Sequence, residues 1–193
     1  MVPSPGRHGI LFRTGRVVVD RALQRADAGH GHRKLAVGWF SFTCCEDSTI
    51  LLAELLNDHL DEWTKVVEFR HMKTLKSRNS MEDLDVAFVE GAISSDSQAE
   101  EVRRIRENAR YVVAIGACAC TGKPSTSRNQ FVDEQINERI RWYLDHFDYG
   151  RDVKPLDGVI KVDDMVRGCP MKVQSFEQTL NKYLELFEVT RHG

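Results

Sequence analysis

No apolar run in the chain reaches the roughly eighteen residues that a helix needs to cross a bilayer, so a membrane span is not expected. No long apolar stretch near the N-terminus ends in small residues, and no twin-arginine pair precedes one, so a secretory leader is not expected either and the predicted compartment is the cytoplasm. The seven histidines (His8, His30, His32, His59, His71, His146 and His192) show no H-x₃-H spacing, and none is assigned to a metal. There is no internal repeat and no low-complexity segment. Neither sign of charge dominates, the formal net charge being −2. The distribution is uneven, however: residues 1–34 hold seven Lys and Arg against two Asp, and the remainder is acidic. A length of 193 residues fits one domain with an extra segment, which divides the chain into a basic arm (1–34) and a domain (35–193).

Within that domain, short β-type runs alternate with helical patterns, the sign of a parallel α/β sheet. Strands are predicted at 35–42 (LAVGWFSF), 66–72 (VVEFRHM), 85–91 (DVAFVEG) and 111–117 (YVVAIGA). The last two are nearly continuous apolar runs, as strands covered on both faces require. Ile50, Leu51, Ala53, Leu55, Leu56 and Leu60 mark a helix behind Ser48, a candidate N-cap. Ala99, Val102, Ile105 and Ala109 mark a second; Phe131, Val132, Ile136, Ile140, Tyr143 and Phe147 a third; Val173, Phe176, Leu180, Tyr183, Leu184 and Phe187 a last one. The stretch between the third and last helices reads as irregular. Right-handed crossovers gather the loops at the carboxyl ends of the strands on one edge, where doubly wound sheets place their sites.

The five cysteines fall on that edge. Cys44 and Cys45 follow the first strand, Cys118 and Cys120 the fourth, and Cys169 sits in a Gly-Cys-Pro turn before the last helix. In a reducing compartment an odd count argues against disulfides and leaves burial, catalysis or metal binding. Structural zinc normally shows two C-x₂₋₄-C pairs, whereas an adjacent pair with distant singletons better suits a four-iron cluster, which takes four thiolates at irregular spacing. Gly116, Gly122 and Gly168 flank the cysteine turns, where either turn chemistry or close approach of a bulky cofactor accounts for them. Cys118 and Cys120 are two apart, so in extended backbone both face one way and either reaches the cluster.

WFSFTCCED (39–47), FVEGAI (88–93), IGACACTGKP (115–124) and VDDMVRGCP (162–170) together resemble the cofactor segments of the small subunits of nickel–iron hydrogenases and of the related 20 kDa subunit of respiratory complex I. The resemblance spans about residues 35–190. FVEGAI and GACACTGKP lean to the cytoplasmic, cofactor-linked hydrogenases, whose first motif is usually C-x-x-C-E; here the pair is adjacent, as in the complex I subunit. Met171 stands where both families commonly carry a second proline.

The resemblance implies a flavodoxin-like doubly wound parallel sheet with a single cluster-binding edge, one 4Fe-4S cluster, and Cys44, Cys45, Cys118 and Cys169 as its ligands. Cys120 falls on a variable position and reads as a thiol beside the cluster or merely buried. Glu46 and Glu90 match acidic positions next to the cluster and the large subunit, Glu90 being either a solvated carboxylate or a proton relay at an interface. Lacking the two C-x-x-C pairs that a nickel–iron site needs, the chain would pass electrons between a large subunit bearing that site and further iron–sulfur or flavin subunits. The alternative is an iron–sulfur subunit of a complex I-like module that handles no hydrogen. The basic arm reads as a tail on an acidic partner subunit rather than a nucleic-acid binder, having no aromatic interleaving. Trp39 is expected in the core.

Overall fold

The computed structural model describes residues 33–131 and 136–189. The basic arm lies outside the described residues, apart from Arg33 and Lys34. Five strands, β1 (Leu35–Ser41), β2 (Val67–Met72), β3 (Leu84–Glu90), β4 (Ala109–Ile115) and β5 (Asp164–Val166), form one sheet in the order β2-β1-β3-β4-β5. Every pairing is parallel. The helices are α1 (Asp47–Val66), α2 (Asp96–Asn108), α3 (Gly116–Thr121), α4 (Glu138–His146) and α5 (Val173–Leu186). This is the flavodoxin-like doubly wound arrangement.

Side-chain alternation along the strands divides the core in two. Val37, Trp39, Phe88 and Val113 face Leu52 and Leu56 of α1 and Phe176 and Leu180 of α5. Phe40, Ala87, Val89 and Val112 face Ala99, Val102 and Ile105 of α2. Ile105 is wholly buried, and such a side chain contributes about 1.5–3 kcal/mol relative to exposure. α2 starts where Ser95 accepts a hydrogen bond from the Gln98 amide, which satisfies one of its unpaired N–H groups.

Three expectations are corrected. β5 lies in the stretch expected to be irregular: three residues beginning with Asp164 are too short and too polar to register as a strand, yet β4 supplies a template and Tyr183 and Lys182 of α5 hold Asp164 by hydrogen bonds. β4 ends at Ile115, because Gly116 takes a φ of 77° and turns the chain into α3. The helix expected from Phe131 begins at Glu138, capped by Asn137; Ser125–Gln130 form a 3₁₀ turn, and Val132 lies outside the described residues.

Candidate metal centre

Beyond β1 the chain stays pinned to the segment after β3. The Phe42 amide donates to Glu90 O at 2.8 Å, Thr43 and Ala92 exchange backbone bonds of 3.1 and 2.9 Å, and Thr43 Oγ1 meets Ser94 Oγ at 2.6 Å. This fixes the point at which Cys44 and Cys45 leave the sheet. Glu46 follows with a left-handed φ of 62° and no side-chain capping bond, its side chain exposed, and α1 begins.

Ser48 is therefore not the N-cap; it lies inside the first turn, almost fully buried. The cap comes from another strand. Glu90, at the end of β3 and only 4% exposed, accepts from the Ser48 amide (3.1 Å), the Thr49 amide (3.0 Å) and Thr49 Oγ1 (2.7 Å). Thr49 Oγ1 in turn accepts from Trp39 Nε1 at 2.8 Å, so the core tryptophan supports the same network. The solvated reading of Glu90 is corrected: it is a buried carboxylate satisfied by three donors of its own chain. Sequence reasoning also misses Thr49. The signal available is a carboxylate closing an otherwise unbroken apolar strand.

The other cysteine turns meet the first one here. The Ala117 amide, beside Cys118, donates to Gly168 O at 2.6 Å, and the Met171 amide donates to Ser48 Oγ at 3.2 Å. Gly116 and Gly168 serve these turns: a Cβ on Gly168 (φ 134°) would lie 2.4 Å from Pro170 O, and one on Gly116 would lie 3.1 Å from Ser48 Oγ. Cys44 and Cys118 pack with Ala92 and Val153. Burial pushes the Cys44 thiol up to about 12, with the Glu90 charge adding to it. Burial likewise raises the Cys118 thiol, with Cys45, Cys169 and Glu90 contributing. Thus Cys44, Cys45, Cys118 and Cys169 share one edge, two buried or half-buried and two exposed, and all are free.

Cys120 does not join them. Residues 116–121 are helical, so positions 118 and 120 differ by about 200° around the axis rather than sharing a face. The Cys120 thiol donates weakly to Ala114 O (3.5 Å) and Val166 O (3.8 Å) and packs in the core beside α2, where burial pushes it up to about 11.

Among the described residues no three His, Cys, Asp or Glu side chains are gathered closely enough to hold a metal ion. The donor set at the edge nonetheless suits a cluster: four sulfurs on three separate turns, with no lysine or arginine among the groups that shift the Cys44 and Cys118 thiols. Thiols raised by burial and a neighbouring carboxylate become thiolates when a metal replaces their protons, and a cluster's separate irons let its ligands stand further apart than a single ion does.

Known proteins resemble this chain in sequence and fold. Residues 44–183 match the family described as NADH ubiquinone oxidoreductase, 20 Kd subunit. The delta subunit of sulfhydrogenase 2 from Pyrococcus furiosus is 31% identical over 156 residues, covering 76% of this chain and 60% of that protein. One of the subunits of the F420-non-reducing hydrogenase of Methanothermobacter marburgensis is 28% identical over 155 residues, covering 71% of this chain and 49% of its own length. The chain thus spans about half to three fifths of these two curated relatives. A chain of an NAD⁺-reducing [NiFe]-hydrogenase in its H₂-reduced state superposes with a TM-score of 0.68 at 23% identity, over 83% of this chain and 96% of the other, which shows the shared fold. Because the family match runs from the first cysteine pair into the last helix, this chain belongs to the family of the 20 kDa subunit of NADH–ubiquinone oxidoreductase, and the two relatives named above are described as hydrogenase subunits.

Proposed function

We propose that the chain is the electron-transferring small subunit of a cytoplasmic nickel–iron hydrogenase complex and that it holds one four-iron cluster on Cys44, Cys45, Cys118 and Cys169. The observation that carries this reading is the convergence of those four cysteines, from three turns, on one edge of the sheet. A cluster there supplies one-electron storage at a potential set by its surroundings. The chain's own residues do the rest. The turn at Cys44–Cys45 is held by Glu90, the turn at Cys169 by Ser48 and Ala117, and Ala92 and Val153 pack with Cys44 and Cys118. The nickel–iron centre belongs to a partner large subunit, and further iron–sulfur or flavin subunits take the electrons onward.

An exposed apolar face supports a partner. Phe131, Trp142 and Phe147 are each more than half exposed, and α4, nine residues long, buries none of its side chains. A helix this short is marginal in water by itself, and clustered exposed aromatics mark interaction surfaces. The segment that follows returns to the cysteine edge through Gly150 N to Ser94 O (2.6 Å) and the Ile93–Lys154 bridge, leading to Val153 beside Cys118. An obligate interface of about 2,000 Å² or more over this edge fits that continuity.

The adjacent pair Cys44–Cys45 favours a second reading, a complex I-like redox module that handles no hydrogen. Hydrogen-dependent dye reduction by the complex isolated through this subunit decides between them. The expected result is reduction that is lost, together with a low-temperature EPR signal, in Cys45→Ser and Cys169→Ser. Full iron content in both variants would overturn the ligand assignment, and a cluster-bearing complex inert to hydrogen would favour the second reading.

A further inference from the structure

Glu90 is not among the four cysteines, yet it is connected through Ser48 to the turns that carry Cys45, Cys118 and Cys169. Both of its oxygens are used: one accepts from the Ser48 amide, the other from the Thr49 amide and hydroxyl. The two residues it grips sit three and four positions after Cys45. Ser48 passes the connection on, since its hydroxyl accepts from the Met171 amide, two residues after Cys169, and stands against Gly116, two residues before Cys118. Thr49 is held from the other side by Trp39 and Ser41. No solvent reaches this network appreciably: Glu90, Ser48 and Thr49 are 4%, 1% and 2% exposed.

We infer that Glu90 is the positioning residue of the centre, anchoring the start of α1 so that the cysteine turns are in register and placing a negative charge near the Cys44 and Cys118 sulfurs that holds the potential of the bound cluster low. The inference rests on the proposed function and deepens it. The sign follows from electrostatics. Reduction adds an electron to the cluster, and a buried carboxylate screened by little water opposes that addition. The positive end of α1 offsets only part of the carboxylate, being equivalent to about half a unit charge. Removing the charge while keeping the shape therefore eases reduction.

The test is made on the purified complex. Glu90→Gln is expected to keep wild-type iron and sulfide while the EPR-monitored midpoint rises by an amount on the order of a tenfold change in the reduced-to-oxidised ratio, about 59 mV for one electron. Glu90→Ala is expected to lose at least about tenfold in amide-exchange protection at Ser48 and Thr49, because it removes the acceptors of both. An unchanged midpoint in a fully loaded Glu90→Gln complex overturns the electrostatic role, and wild-type protection in Glu90→Ala overturns the anchoring role. Should the Gln variant not assemble, Glu90→Asp carries the potential measurement: it keeps the charge, so a midpoint raised as far as predicted for Gln would refute the charge effect. A wild-type complex with no cluster signal from this chain would refute the proposed function instead, and the exchange measurement would still decide the anchoring.

Discussion

Cys118 and Cys120 offer the sharpest comparison, because the same substitution at two positions only two residues apart is expected to do different things. Cys120→Ala removes one buried sulfur and two long S–H···O contacts, to Ala114 O and Val166 O. The hole left is about the size of a methyl group, which costs about 1 kcal/mol and lowers the melting temperature of a domain this size by about 2–4 °C. Because α3 turns its side chain away from the other four cysteines, iron content and cluster potential are expected to stay at the wild-type values. Cys118→Ala deletes a thiol that packs against Cys44. It is expected to lose the cluster, and with it the EPR signal and dye reduction. Iron and acid-labile sulfide per chain, EPR of the reduced complex and a thermal melt on the two variants make the comparison. Iron depletion in Cys120→Ala as deep as in Cys118→Ala would refute the helical placement of this segment.

Two further outcomes are expected. His71 is buried, with Nδ1 3.1 Å from Trp39 O and its ring stacked on Phe40, and burial lowers its affinity for a proton below the ordinary value, with Lys73 adding to the effect against the Trp39 carbonyl and Glu101. A lowered pKa means that the unfolded chain binds more protons, so this contribution to stability is complete above about pH 6.5 and is lost as the pH falls below it; melts at about pH 7.5 and 5.5 should show a smaller drop in His71→Asn than in wild type. Trp142→Asp combined with Phe147→Asp is expected to leave the fold of the domain intact, since neither side chain is buried, but to release it from its complex on size-exclusion chromatography. Co-elution unchanged by both charges would remove this face from the interface.

Much of the fold is legible because the strands carry their own signal. Leu84–Glu90 is buried at every position, and a run of that kind, bounded by polar residues, has few other readings. What fails does so for local reasons. Gly116 ends β4 by taking a positive φ, and the apolar residues that follow it, Ala117, Cys118 and Ala119, fit a strand and a helix equally well on hydropathy, which carries the expected strand too far. The expectation that Cys118 and Cys120 face one way falls with it. β5 depends on its neighbour: three residues have no periodicity to read, and only the template of β4 and the grip of Tyr183 on Asp164 make a strand of them.

The place of the four cysteines on one edge is legible for a different reason from the contacts around them. In a parallel α/β sheet the direction of every strand is fixed by topology, so placing a residue just after a strand already places it on one edge, without knowledge of any side-chain contact. Cys44, Cys45 and Cys118 need only that rule, and Cys169 needs only a segment that returns to the same edge, which β5 provides. Glu90 obeys the same rule and falls near the cysteines, but its role depends on pairing across chain separations of 41 and 42 residues. Nothing in the residues around Glu90 says that its partners are the amides of Ser48 and Thr49. Ser48 itself resembles a cap because serine usually caps locally. Its small buried hydroxyl instead joins α1 to the Cys169 turn, and the capping carboxylate arrives from the neighbouring strand. Where a helix start is buried beneath a site, the charge that satisfies it is therefore to be sought on the strands beside it as well as in the preceding turn, and a lone acidic residue closing an apolar strand is the place to look.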